Sequence, residues 1–463
     1  MNIRILSIGA AGLLAALGCR SVEPAYTTDV TTSERAPSTP VPRGPVVAKT
    51  IDLASALRLA SGSHLDLLEA RARVREAEGR ASSADGYLLP VLSAGGSFVG
   101  SRGQAQSSFG ALQQANFNTI NALGTIRIST NLGESIYKDL AAHRTVEAAA
   151  GFELAQLQRT LLDVSLGYLG LVESDATVRI QEQFVLEAQT LARLTQAREG
   201  QGLGSALDSE RARAQAAAAE QRLIAARNER QRRSKSLAAA LRLDSTVDLD
   251  PADRDLAPAT VVDPAEDLQR WLGRAGERRP ETLALQSNRE AARNEATAVR
   301  WSVWGPEVGA GVALGGLGAS FSTIDDRENF IVSLGWTFSF GGPGRIDAAD
   351  ARAEQADIAL LRFRDRLQAS VAGSYQELVL ARQQLDPAQR ELTAAENALR
   401  IARANYEGGL LPENDLLLAQ QGADQARLRR LAAVARYNQS QLQLLAESGV
   451  ASIESLSGGG APK

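Results

Sequence analysis

The sequence predicts a mostly α-helical chain that carries a smaller set of transmembrane β-strands and is built as an internal two-fold repeat. Three observations point there: long proline-free stretches with helical apolar spacing, four segments of period-two alternation, and landmarks whose spacing recurs in both halves. Composition sets the frame. Of 463 residues, 44% are hydrophobic, 22% charged and only 5% aromatic, which excludes a disordered polymer and a small domain dependent on staples. A formal net charge of -4 with both signs scattered offers no basic surface for phosphates, so no nucleic acid is expected as a partner. One cysteine allows no intrachain disulfide, and with only 2 histidines no metal-ligand cluster is expected.

The N-terminus reads as an export signal over residues 1–18. Met1 to Arg4 is positively charged, Ile5 to Leu17 is apolar but too short to span a bilayer of roughly 30 Å, and Gly18 precedes Cys19. A small residue directly before a cysteine resembles the bacterial lipobox, which implies that Cys19 is acylated and becomes the first mature residue. Arg20 follows instead of the aspartate that retains such proteins at the inner membrane, so the resemblance implies the outer membrane. Residues 19–50 then form a tether, punctuated by Pro24, Pro37, Pro40, Pro42 and Pro45 and without apolar periodicity.

Beyond the tether lie two copies of one pattern. Tyr168 precedes Asp208 by the same distance that Tyr375 precedes Asp415, with Gly202-Leu203 and Gly409-Leu410 in step between them. The expected boundaries are residues 51–246 for the first copy, 247–262 for a linker, 263–447 for the second copy and 448–463 for a flexible tail. Each copy runs through a short helix, two alternating segments, a very long helix, a glycine break and a medium helix. Leu154, Leu157, Leu161, Val164 and Tyr168 mark one helix face. The long helix from Gly133 to Glu199 would reach roughly 100 Å at about 1.5 Å per residue. His64 to Leu89 and Ser205 to Leu243, stacked end to end, match it in length; Glu281 to Trp304 with Leu411 to Glu447 likewise match Gly342 to Glu407.

The alternating segments read as strands of about ten residues. Asn329 to Phe340 sets Phe330, Val332, Leu334, Trp336, Phe338 and Phe340 against Asn329, Ser333, Gly335, Thr337 and Ser339. Ile126, Ile128 and Leu132 alternate with Arg127, Ser129 and Asn131, and Val308, Ala310, Val312 and Leu314 alternate with glycines. One such strand suits a soluble sheet packed on a helix. Four, joined to an export signal and flanked by Trp301, Trp304 and Trp336, suit transmembrane strands with an interfacial aromatic girdle.

Two copies of strand, strand, long helix, glycine break and helix resemble the TolC-like outer-membrane factors over about Ile51 to Glu447. Phe338-Ser339-Phe340-Gly341-Gly342 running into helix, and Tyr406-Glu407-Gly408-Gly409 shortly before Asp415, carry the local likeness. Four strands cannot close around a lumen, because transmembrane barrels need about eight or more. Three chains would supply twelve, and the resemblance implies this homotrimer: a twelve-stranded β-barrel continued through the periplasm by an α-helical barrel. It also implies an export duct for efflux or type I secretion, which meets a periplasmic adaptor directly and an inner-membrane transporter indirectly. A non-conducting lipoprotein scaffold bridging membrane and periplasm is the alternative reading.

No enzymatic constellation is legible, and no cofactor is expected. Gly309-Ala310-Gly311 lacks the third glycine of a dinucleotide loop, and Gly341-Gly342-Pro343-Gly344 lacks the Lys-Ser/Thr of a phosphate loop. His64 and His143 are far apart in sequence without cysteines or paired carboxylates nearby. Asp208 and Asp415, in the first turns after the glycine breaks, suit the positive end of a helix dipole. By resemblance they are gate residues instead, although Leu418 stands where some family members carry a second acid. Arg211 is a partner for Asp208 by helical spacing. Gly202, Leu203, Gly204 and Ser205, with Gly408, Gly409, Leu410 and Leu411, form the turns expected to dock the adaptor.

Overall fold

The computed structural model describes residues 47–106, 110–202, 204–263, 266–320 and 323–456. The signal, Cys19 and nearly all of the tether lie outside them, as does Leu203. In chain order the elements are β1 (Val47–Ile51), α1 (Leu53–Ser63), α2 (Leu65–Asp85), β2 (Val91–Gln106), β3 (Leu112–Thr130), α3 (Leu132–Gly200) and α4 (Ala206–Ala240). They continue as β4 (Val247–Pro251), α5 (Leu268–Arg278), α6 (Pro280–Trp304), β5 (Glu307–Gly318), β6 (Ile324–Gly335), α7 (Gly342–Glu407), α8 (Glu413–Glu447) and α9 (Ile453–Leu456). The second copy thus repeats the first element by element: α1–α2 answers to α5–α6, β2–β3 to β5–β6, and α3–α4 to α7–α8.

The two long helices hold 69 and 66 residues, roughly 100 Å each at about 1.5 Å per residue. Single helices of this length need partners along their whole course, and the shorter helices supply them. Arg71 on α2 meets Glu153 on α3 at 3.3 Å, and Arg144 on α3 meets Glu290 on α6 at 3.0 Å. Further along α3, Arg227 on α4 meets Glu182 at 2.8 Å and Arg427 on α8 meets Glu187 at 3.3 Å. The pairs α2 with α4, and α6 with α8, therefore cover successive halves of α3, as their lengths predict. A Cβ on Gly133 would stand 2.0 Å from the Trp301 ring; only glycine lets the start of α3 lie this close to the end of α6.

The main core gathers midway along the long helices. Trp271 on α5, Tyr168 on α3, Leu57 on α1, Leu249 on β4 and Leu444 on α8 are fully buried together. The segment before α5 is held to this core by side-chain amides. Gln441 accepts from the N–H groups of Val261 at 2.8 Å and Val262 at 3.1 Å, and donates to the Ala259 carbonyl at 2.8 Å. Asn438 accepts from Ala259 N–H at 3.0 Å and donates to the Ala257 carbonyl at 2.9 Å. Backbone groups in a loop against a core need such partners.

Four expectations from the sequence are corrected here. Residues 47–50, assigned to the tether, belong to β1, which pairs with β4, so the 247–262 linker contains a strand. Residues 448–456, assigned to a flexible tail, fold onto the core, with Ala451 and Leu456 buried. Leu132, read as a strand residue, is the first residue of α3, because Asn131 accepts from Glu134 N–H at 3.1 Å and caps the helix there. The last strand runs from Ile324 to Gly335 rather than from Asn329 to Phe340. Its ladder ends at the pair Glu307–Gly335, and Pro306, next in line, has no N–H to extend it. The strands hold 16, 19, 12 and 12 residues, longer than expected.

The buried Trp271 gives a stability test. Trp271→Ala is expected to destabilise the folded chain by about 3–5 kcal/mol, read as a lowered denaturation midpoint in detergent.

Candidate functional site

The four long strands form one antiparallel sheet in the order β2-β3-β5-β6. Its register aligns residues into rows that share a face. Leu92, Ile126, Val312 and Phe330 make one complete row. Ile128, Ala310 and Val332 make the next, and Thr130, Val308 and Leu334 the one beyond. On the opposite face the rows read Ser93, Thr125, Ala313, Asn329 and Gly95, Leu123, Gly315, Arg327. One face is therefore mostly apolar and the other mostly small and polar. None of the described residues covers the apolar face: Leu92, Phe330, Val332 and Leu334 are all exposed, Val332 at 87%. Contiguous exposed apolar surface of this kind needs a partner or a lipid phase.

Aromatic side chains gather where this sheet meets the helices. Trp301 and Trp304 lie in the last turn of α6 and Trp336 directly after β6, all exposed, and the Trp304 and Phe338 rings stand 6.4 Å apart. No helix among the described residues is long and apolar enough to cross a membrane.

The far ends of the helices form the second candidate region. At the end of α7, Gly409 adopts φ 73°, Leu410 N–H donates to the Asn405 carbonyl at 2.9 Å and Gly409 N–H to the Tyr406 carbonyl at 3.0 Å. This is the Schellman turn, which satisfies the last carbonyls of a helix and favours glycine at the left-handed position. At the end of α3, Gly202 has φ 69° and donates to the Glu199 carbonyl at 2.9 Å. Ser205 caps α4 by accepting from Leu207 N–H at 3.1 Å. Gly204, Gly408 and Gly409 are exposed, Leu410 is 81% exposed, and Leu411 is half-buried.

Asp208 and Asp415 both lie in first helical turns. Asp415 is exposed and Asp208 half-buried, with Arg211 at 4.0 Å from Asp208. The two hairpins, α3–α4 and α7–α8, meet through residues that sequence reasoning missed. Arg198 on α3 stacks on the Tyr406 ring of α7 at 4.4 Å and donates to the Glu407 carbonyl at 3.1 Å. Glu413, the first residue of α8, is only 4% exposed and faces Asp208. Burial, then the neighbouring Asp208 carboxyl, push its carboxyl up to about 7. Asp415 drew attention by its place after the glycine turn; no sequence pattern marks Glu413 as buried, since a first-turn acid is ordinarily solvated.

The long helices also enclose charge. Arg427 on α8 meets Glu187 on α3 at 3.3 Å and Glu396 on α7 at 3.2 Å, next to Asp424, whose carboxyl burial raises to about 7. Near the sheet, His143 is not isolated as its sequence surroundings suggest: its ring lies 3.4 Å from the Asp139 carboxylate on the same helix and 3.8 Å from Asp85 at the end of α2. Folding brings Asp85 to this local pair from far away in the chain. His64 sits at the junction of α1 and α2.

Set beside known proteins, residues 56–241 and 271–450 match the family described as outer membrane efflux protein. The chain belongs to that family. The two matched blocks coincide with the two structural copies. Among solved structures, it is similar to the outer-membrane channel OprN, with a TM-score of 0.78 and 20% identity over 86% of this chain and 90% of that one. It is also similar to the outer membrane protein VceC from Vibrio cholerae, at 0.75 and 18% over 86% and 96%. The Campylobacter jejuni CmeC outer membrane channel gives 0.74 and 15% over 86% and 85%. A comparison with curated proteins finds no matching relative. At these identities the structural likeness speaks for the fold, and the fold is the helical channel architecture with its antiparallel sheet.

The Arg198 link is directly testable. Arg198→Ala removes a cation–π contact worth about 1 kcal/mol and should speed amide exchange across residues 405–416 about fivefold, with exchange in the midway core unchanged.

Proposed function

We propose that this efflux-family protein is the outer-membrane duct of a tripartite export system, assembled from three chains. The observation that carries this reading is the sheet, which among the described residues has an uncovered apolar face, a small and polar opposite face, and two unpaired edges, β2 and β6. Unpaired backbone groups cost several kcal/mol each in lipid, and three four-stranded sheets joined edge to edge would leave none. The small, polar face would then line an aqueous lumen, and the long helices would continue its wall into the periplasm. Trp301, Trp304 and Trp336 would mark a membrane interface. Cargo passes without chemistry in this chain, so the energy comes from an inner-membrane transporter acting through a periplasmic adaptor.

At the far tips, Asp415 would recur around a narrow axis and attract cations. The turns at Gly202 to Ser205 and Gly408 to Leu411, in which Gly204, Ser205 and Leu410 are exposed, would offer the adaptor six small apolar docking points. Cys19, once acylated, would anchor the tether in the outer membrane in addition to the barrel.

Planar-bilayer recording of the purified protein is expected to show discrete conductance steps, and Asp415→Ala to raise conductance and weaken block by divalent cations. Absence of conductance would favour a scaffold, and an unchanged Asp415 variant would return that residue to a helix-dipole role. Arginine in place of Leu334 or Phe330 should cost about 2–4 kcal/mol if the site faces mid-bilayer lipid; the earlier stop of β6 makes these better sites for the substitution than Phe338. In cells, Leu410→Glu should abolish export while leaving assembly intact, and normal export by that variant would remove the docking role.

A further inference from the structure

We propose that Asp208 and Glu413 form a proton-held latch between the two hairpins of one chain. Asp208 lies in the first turn of α4 and Glu413 opens α8, so their contact joins hairpin α3–α4 to hairpin α7–α8 at the tips. Glu413 is 4% exposed, and no N–H or O–H of the described residues reaches either of its carboxyl oxygens. What it faces is a second carboxyl, that of Asp208. Two ionised carboxylates in such a place repel each other with little water to screen them. One proton between them converts the repulsion into a hydrogen bond.

The other charged and titratable groups around the pair set its range. Arg211, on α4, stands 4.0 Å from Asp208 and favours ionisation of Glu413. Tyr406, on α7, is buried beside them and carries the Arg198 guanidinium of α3 on its ring at 4.4 Å. Asp415, on α8 itself, is exposed. Against these, burial and Asp208 hold the Glu413 carboxyl at about 7, above its ordinary 4.5. The tip with the hairpins together therefore binds the proton more tightly than a tip in which Glu413 has moved into water. The sign follows from linkage: the latch is fully engaged below the solvated value, and its contribution is lost as pH rises through the raised one. Passing from pH 8 to pH 5.5 should favour the joined tips by roughly tenfold or more in each chain.

The latch itself rests on the burial and unpartnered oxygens of Glu413 opposite Asp208; its use as a control on opening rests on the duct reading. The test separates the two by reading distance rather than current. Spin labels are placed sparsely at Leu207 and Leu410, which are exposed at 58% and 81%, in the full chain with Cys19 replaced by serine, and the pair distance is measured by pulsed electron resonance at pH 5.5 and pH 8. The wild-type pair is expected to show one short, narrow distance at pH 5.5 and a longer, broader distribution at pH 8. Glu413→Gln, which donates permanently to Asp208, should keep the short distance at both values; Asp208→Asn should do the same. Wild-type distances that do not change with pH, or a Glu413→Gln variant that still responds, would overturn the latch. A protein that never conducts but shows the expected distances would retain the latch and lose the duct.

Discussion

The backbone hydrogen bonds left open at the two edges of one four-stranded sheet are the constraint on which the rest of the molecule depends. Among the described residues, β2 and β6 each have one neighbour, and nothing covers the apolar rows Leu92–Ile126–Val312–Phe330 and Ile128–Ala310–Val332. Water penalises the face and lipid penalises the edges. Only pairing of the edges with other strands satisfies both. The internal repeat fits this need, because each copy contributes one hairpin to the sheet and one long helix beneath it, with Asn131 capping α3 directly after β3.

That direct passage from strand to helix makes the fold economical in loops and ties the tips to the membrane end. α3 and α7 each run unbroken from the sheet to the tips, with the core of Trp271, Tyr168 and Leu444 clamping them midway. Beyond the core, a smaller apolar cluster that includes Leu191, Leu399, Tyr406, Leu416 and Leu417 joins the hairpins, and charged groups lie beside it. Arg427 with Glu187, Glu396 and Asp424, Arg198 with Tyr406, and Asp208 with Glu413 are polar links between hairpins. Polar links depend on geometry, protonation and solvent access more sharply than apolar contacts do.

The parts of this architecture that obey a simple period were legible in the sequence. Apolar residues at three and four spacing marked α3, alternation marked β5 and β6, and the equal spacing of Tyr168–Asp208 and Tyr375–Asp415 marked the repeat. Boundaries set by single residues were less so. Alternation continues through Phe340, yet β6 stops at Gly335 because pairing depends on Pro306 in another strand segment. β1 escaped notice because its five residues gain meaning only beside β4. The tip glycines and first-turn acids stood out locally, whereas the burial of Glu413 and the grouping of His143 with Asp85 arise from contacts between helices distant in sequence. The linker staples by Asn438 and Gln441 were invisible for the same reason.

Native mass spectrometry of the detergent-extracted protein decides how the sheet edges are closed, because edge closure and chain number are one question. A complex of three chains that persists in mild detergent is expected. A stable single chain in the same detergent, with its sheet edges open, would contradict it.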